Sequence, residues 1–208
     1  MDDDATDAGT GALVVYGDYT CALCYLLESL LQGLQPTGVS VERRGLEARP
    51  VPHPLPAPAD EEMQRHWRAV VEPAARRLGV EVRGPQTWPR TRKAHELALF
   101  AREANRFPAT HAALYRAFFV EGRDIGRIDV LTEIAAEAGL DAESAHIALG
   151  VDRYTEAVMR DAAAAREHGV DRLPTLVRGT ERLVGLPSAE QLHAFVRGEN
   201  GPHANGTR

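Results

Sequence analysis

The chain's two cysteines stand three positions apart, in Cys21-Ala22-Leu23-Cys24. Leu23, Leu26, Leu27, Leu30, Leu31 and Leu34 follow at helical spacing, so the pair opens a helix. Positions i and i+3 share a helix face, which brings the two thiols within bridging reach. Unpaired N–H groups and the macrodipole at a helix N-terminus favour a thiolate. Cys21 is therefore expected to attack a disulfide, and Cys24, one turn further in, to resolve the mixed disulfide. A structural zinc site takes about four ligands. Here the only other soft donors, such as His66, His95, His111, His146 and His168, are scattered. No metal and no bound organic cofactor are expected. Two inert buried thiols remain the plain alternative.

The surrounding pattern says what positions the pair. Ala12-Leu13-Val14-Val15-Tyr16 is a short apolar run between Gly11 and Gly17 and reads as a buried strand. Val39-Ser40-Val41-Glu42-Arg43 alternates and reads as a second strand. Strand, helix, strand make a βαβ unit, where a C-x-x-C carries far more weight than alone. Pro50, Pro52, Pro54, Pro56 and Pro58 mark an extended crossing. From Asp60, a plausible cap, to His168 the apolar spacing is helical. It gives about five helices, one bent by Pro73, the later ones closing at Gly122, Gly139 and Gly169. Leu173–Val177 and Arg182–Val184 flank Gly179-Thr180 as a hairpin. Ser188 with Gln191 forms a capping box for a last helix.

The expected fold class is α/β: a thioredoxin-like core (β-α-β … β-β-α) with a large all-helical insertion. The expected segments are a disordered tail over 1–11, core halves at 12–59 and 169–197, the insertion at 60–168, and a fraying tail at 198–208. The 208 residues suffice for one domain carrying such an insertion. Hydrophobic residues are 44% and charged ones 26%, as in soluble globular proteins. A net charge of −6 and the absence of a dense Lys/Arg cluster argue against nucleic acid. No apolar run reaches the ~18 residues of a membrane span. The acidic Met1-Asp2-Asp3-Asp4 start is unlike a secretory signal, so a cytoplasmic protein is expected.

Three pieces together resemble a known family: Gly17-Asp18-Tyr19-Thr20-Cys21-Ala22-Leu23-Cys24-Tyr25, the stretch Leu114 to Ile125, and Ala165 to Val177 with Leu173-Pro174-Thr175 at its centre. They look like the DsbA-like family, in its FrnE-like cytosolic branch, over about residues 12–197. The resemblance implies thiol-disulfide oxidoreductase activity, with Cys21 as nucleophile, Cys24 as resolving thiol and Pro174 as a cis-proline. Leu173, Ala22 and Leu23 then meet the substrate. The implied partners are protein or small-molecule thiols and disulfides, glutathione among them, and a homodimer is compatible with the exposed helical block. Ala22-Leu23 departs from the proline and aromatic or histidine common between the cysteines in this family. Asp171-Arg172-Leu173 departs from a smaller Gly/Val-rich stretch; its charges shape the groove or form a solvated loop.

Two other readings stand beside this one. A glutathione-dependent isomerase or transferase of aromatic or polyketide molecules, 2-hydroxychromene-2-carboxylate isomerase-like, would survive loss of Cys24. A non-catalytic redox-sensing module would oxidise without turnover. Lesser candidates are Trp67 and Trp88, read as core more than pocket, and Asp18, read as capping its turn or solvated. Glu47 is a candidate proton relay to Cys24 that nothing in the sequence places.

Overall fold

A computed structural model describes residues 12–34, 38–57 and 60–199. Strand β1 (Leu13–Gly17) is followed by helix α1 (Ala22–Gln32) and strand β2 (Val41–Gly45). Helices α2 (Glu61–His66) and α3 (Glu72–Leu78) flank a π-helical turn at Trp67–Val71. Then come α4 (Arg92–Glu103), α5 (Phe107–Phe119), α6 (Ile128–Glu137), α7 (Ala142–Gly150) and α8 (Thr155–Glu167). Strands β3 (Thr175–Arg178) and β4 (Glu181–Val184) and helix α9 (Ala189–Arg197) complete the order.

The four strands form one mixed sheet in the order β2-β1-β3-β4. β1 runs parallel to β2, with Leu13 opposite Val41, and antiparallel to β3, with Val14 opposite Val177. Alternation along β1 and β3 sends side chains to two layers. Leu13, Val15 and Leu176 pack with Leu27 and Leu31 of α1 and Leu192 and Phe195 of α9. Tyr16 and Val177 face the other way, against Ala165 of α8 and Val170. Each fully buried leucine contributes about 2 kcal/mol to holding these layers. This is an α/β thioredoxin-like fold with α4–α8 inserted between its two halves.

The largest apolar cluster joins the insertion to the cysteine helix. Ala94 and Leu97 of α4, Leu114, Tyr115 and Phe119 of α5, and Leu131 and Ile134 of α6 pack with Tyr19 and Cys24. One of the two cysteines thus belongs to the core of the inserted helices.

Several local expectations shift. β2 lies two residues later than its alternation suggests, because Leu13 N–H donates to Ser40 O at 2.9 Å and pairing with β1 sets the register. Pro50 to His53 forms a turn, closed by His53 N–H on Pro50 O at 2.9 Å, instead of an extended crossing. Asp60 caps α2, accepting Met63 N–H at 2.9 Å. The bend expected at Pro73 is a π-helical turn just before it: Glu72 N–H reaches back to Trp67 O. Proline offers no N–H to continue the α-helical ladder. The wider turn changes the angular register, so Val71 is buried while Val70 is 40% exposed. Helix α7 was not legible. Its buried residues are Ala145, Ala148 and Leu149, while Ile147 is exposed, so its apolar stripe is weak. Gly198, the first residue of the expected tail, forms the left-handed cap of α9 at φ 74°. The expected tails over 1–11 and 200–208, and Pro36 and Pro58, lie outside the described residues.

Candidate active site

The turn Asp18-Tyr19-Thr20 delivers the chain from β1 into α1, and Cys21 N–H donates to Asp18 O at 3.0 Å. Cys21 is the N-cap of α1, with φ −88° and ψ 106°. Its Sγ accepts the Cys24 N–H at 3.2 Å, taking the place of the Ser, Thr or Asp oxygen usual there. A negative sulfur at this position satisfies an orphan helix donor and meets the positive end of the dipole. Cys21 is half-buried; Cys24 is 2% exposed, and both are free thiols. Gly17 lies under Cys24, where an added Cβ would sit 3.5 Å from its Sγ. Burial pushes the Cys24 thiol well above the ordinary range. Hydrogen bonding to Cys21 and the Cys21 and Asp18 charges add to this, against the Asp18 backbone N–H. Cys24 therefore waits as a neutral thiol.

A cavity of about 420 Å³ opens beside Cys21. Ala22, Leu23 and Leu173 line it, together with Met63, Trp67, Trp88 and Glu47 to Arg49. The structure thus brings Leu173, Ala22 and Leu23 together around Cys21. Pro174 is buried and is not among the lining residues; its peptide bond with Leu173 is cis, and its C=O accepts Gly185 N–H at 2.8 Å. Trp67 and Trp88 combine the core and pocket readings. Each is half-buried, Trp67 stacking on Phe119 and Trp88 tilting against Phe118, and each also lines the cavity. Asp171 and Arg172 have side chains 80% and 70% exposed and stand at the rim. Glu47 is turned to Arg92, whose Nε donates to it at 2.7 Å.

Behind Cys24 lies a buried polar network that no local sequence signal announces. Asp18 is fully buried, neither solvated nor only a turn cap. One carboxylate oxygen accepts from Thr20 N–H at 2.7 Å and from the Thr20 hydroxyl. The other accepts from the Thr91 hydroxyl at 2.5 Å, His95 Nε2 at 3.1 Å and Ala48 N–H at 3.2 Å. Burial alone would raise its pKa; the His95 hydrogen bond and charge, with the Thr20 and Thr91 hydroxyls, hold it below the ordinary range. A second chain runs from Tyr19, whose hydroxyl meets His111 Nδ1 at 2.9 Å, through His111 Nε2 to Glu28 Oε1 at 3.0 Å. Arg43 closes on both Glu28 oxygens at 3.0 and 2.8 Å. Both chains line a cavity of about 30 Å³ that Cys24 also lines. Among the described residues, no group of three or more His, Cys, Asp or Glu is placed to hold a metal ion.

A C-x-x-C dithiol capping the first helix of a thioredoxin-like sheet, with inserted helices packed over it, defines a thioredoxin-fold protein. The DSBA-like thioredoxin domain matches residues 12–197, and the chain belongs to that family. It is 33% identical over 191 residues to the uncharacterized protein YwbO of Bacillus subtilis (strain 168), covering 89% of this chain and 95% of that one. Its structure is similar to that of the probable DsbA oxidoreductase SCO1869 from Streptomyces coelicolor. The TM-score is 0.72 at 24% identity, over 93% of this chain and 92% of the other. It is also similar to the cytosolic disulfide reductase DsbM from Pseudomonas aeruginosa with GSH. There the TM-score is 0.66 at 22% identity, over 90% of this chain and 98% of the other. At such identities the structural likeness is one of fold.

Proposed function

We propose that the protein is a thiol–disulfide oxidoreductase of the FrnE-like branch, acting in the cytosol through Cys21 and Cys24. The Cys21 thiolate attacks a substrate disulfide; a Cys21–substrate S–S bond forms and one substrate thiolate leaves. Cys24 then gives up its proton and attacks Cys21 Sγ. The Cys21–Cys24 disulfide forms, the mixed disulfide breaks, and the second substrate thiol departs. The pair is oxidised and the substrate reduced; the reverse sequence oxidises a dithiol.

One observation carries this reading: Cys21 Sγ accepts the α1 N–H at 3.2 Å while facing the cavity, with Cys24 buried one turn behind. Leu173, Ala22 and Leu23 would form the substrate-contacting wall, with Pro174 setting the backbone behind it. Substrates would be protein or small thiols; glutathione, present in the DsbM structure, is one candidate.

The test combines two variants and one potential. Cys21→Ser should abolish turnover of a model disulfide, and Cys21 should alkylate faster than a free thiol near pH 6. Cys24→Ser should stall at the mixed disulfide; full activity in either variant would sink the assignment. A reduction potential of about −120 mV would mark an oxidant, and one of about −270 mV a reductant.

A further inference from the structure

Among the described residues, one guanidinium of the cavity beside Cys21 is paired with no carboxylate. Glu47 in the same wall is paired with Arg92 at 2.7 Å. Asp171 and Arg172 at the rim face one another at 3.9 Å. His66, the last residue of α2, lines the cavity as well. Arg49 differs from these. Among the described residues it forms no ion pair, and its Nη2 reaches only the Met63 thioether at 3.9 Å. Its guanidinium carbon sits 5.6 Å over the Trp88 ring. A thioether is a weak acceptor, so nearly the whole fork is left for a ligand.

The position of Arg49 is built. Ala48 N–H is tied to the buried Asp18 carboxylate at 3.2 Å, and Arg49 O accepts Arg90 Nη1 at 2.6 Å. The backbone on both sides of the side chain is thus pinned, and Trp88 and Met63 hold the guanidinium against the wall. Arg49 is half-buried, so an anion in the cavity would gain a partly desolvated, charge-assisted contact. A planar fork of donors suits a carboxylate, which it can grip through two hydrogen bonds. The cavity volume, about 420 Å³, lies within the roughly 300–1,000 Å³ of small-ligand sites.

We infer that Arg49 is the carboxylate anchor of the Cys21 cavity, and that the preferred substrate is a low-molecular-weight disulfide bearing a carboxylate. Its sulfur meets Cys21, its stem lies between Trp67 and Trp88, and its carboxylate rests on Arg49. This assignment rests on the proposed disulfide exchange and adds the substrate's charge and size.

Three small disulfides of different charge separate the possibilities: glutathione disulfide (anionic), 2-hydroxyethyl disulfide (neutral) and cystamine (cationic). The measurement is the single-turnover rate constant for their reduction by the dithiol protein, and for wild type the anionic probe should be fastest. In Arg49→Gln the anionic-to-neutral rate ratio should fall about tenfold, the scale of a lost charge-assisted hydrogen-bond pair. Arg49→Lys should fall between, and the wild-type ratio should shrink with added salt. An unchanged ratio in Arg49→Gln, or a wild-type preference for cystamine, overturns the Arg49 assignment while leaving disulfide exchange standing. Reduction of a protein disulfide but of none of the three small ones overturns the small-ligand part. If neither small nor protein disulfides are reduced, and the oxidised protein oxidises no dithiol either, the exchange reading itself falls, and Arg49's role with it.

Discussion

His95 Nε2 donates to Asp18 Oδ2 at 3.1 Å, joining the inserted helix α4 to the turn that carries Cys21. Both side chains are nearly or fully buried. The contact locks the turn in place from the far side of the chain, 77 positions away. It also sets a negative charge behind Cys24, one of the causes of that thiol's raised pKa.

Asp18→Asn tests how much this anchor contributes. The carboxylate accepts at both oxygens from Thr20, Thr91, Ala48 and His95. An amide would turn one NH₂ toward donors. Breaking a buried charged contact of this kind costs about 3–5 kcal/mol. Urea denaturation should show a loss on that scale; a loss below about 1 kcal/mol would mean the network is not structural.

Acid should weaken the fold through Glu28. Burial raises its carboxyl, but hydrogen bonds and charges from His111 and Arg43 outweigh it, bringing the pKa from the ordinary 4.5 to about 2. The folded pKa is depressed, so the unfolded chain binds more protons as pH falls between these values. The stabilisation is complete above about pH 4.5 and lost toward pH 2, about 3 kcal/mol in all. Unfolding free energy against pH for wild type and Glu28→Gln checks this: the variant should lack that acid slope. Parallel curves would refute it.

Resolution should speed up with alkalinity. Cys24 is held as a thiol by its raised pKa, and only the thiolate attacks. Below that pKa, the thiolate fraction grows about tenfold per pH unit. The rate of thiol release from a preformed Cys21 mixed disulfide, followed from about pH 6 to 9, should climb accordingly. A flat profile would mean that another step limits release.

Gly45 is held small by His95. A Cβ on this β2 residue would collide with the imidazole, Nδ1 first. Gly45→Ala should destabilise by about 1–3 kcal/mol, as overpacking does. In a double-mutant cycle, prior removal of the ring by His95→Ala should relieve most of that cost. Strict additivity would place the strain elsewhere.

Local chemistry was readable where each signal depends on near neighbours. The Asp60 cap, the Ser188–Gln191 box, the Gly179-Thr180 hairpin and the glycine stops at 122, 139 and 169 all act within a few residues. The cysteine pair was equally plain, since its spacing and the leucine stripe lie on one helix. α7 escaped because small residues on several faces blur its period. The two tryptophans escaped assignment because the same ring packs on the core and faces a cavity.

The sequence by itself determined the dithiol, its place at a helix start and the βαβ and ββα halves around the helical insertion, because these follow from short-range periodicity and capping. Only the tertiary structure decided which polar side chains stand behind and beside the thiols. Asp18 meets Thr91 and His95 across more than 70 positions, and Glu28 meets His111 across 83. Arg49 meets Trp88 only through the fold. Burying a charge requires partners from distant elements, and a linear pattern holds no record of which ones the packing brings near. The cysteines announce redox chemistry in the sequence. The polar network behind Cys24, and the seat of Arg49 on Trp88, exist only once the chain has closed into its fold.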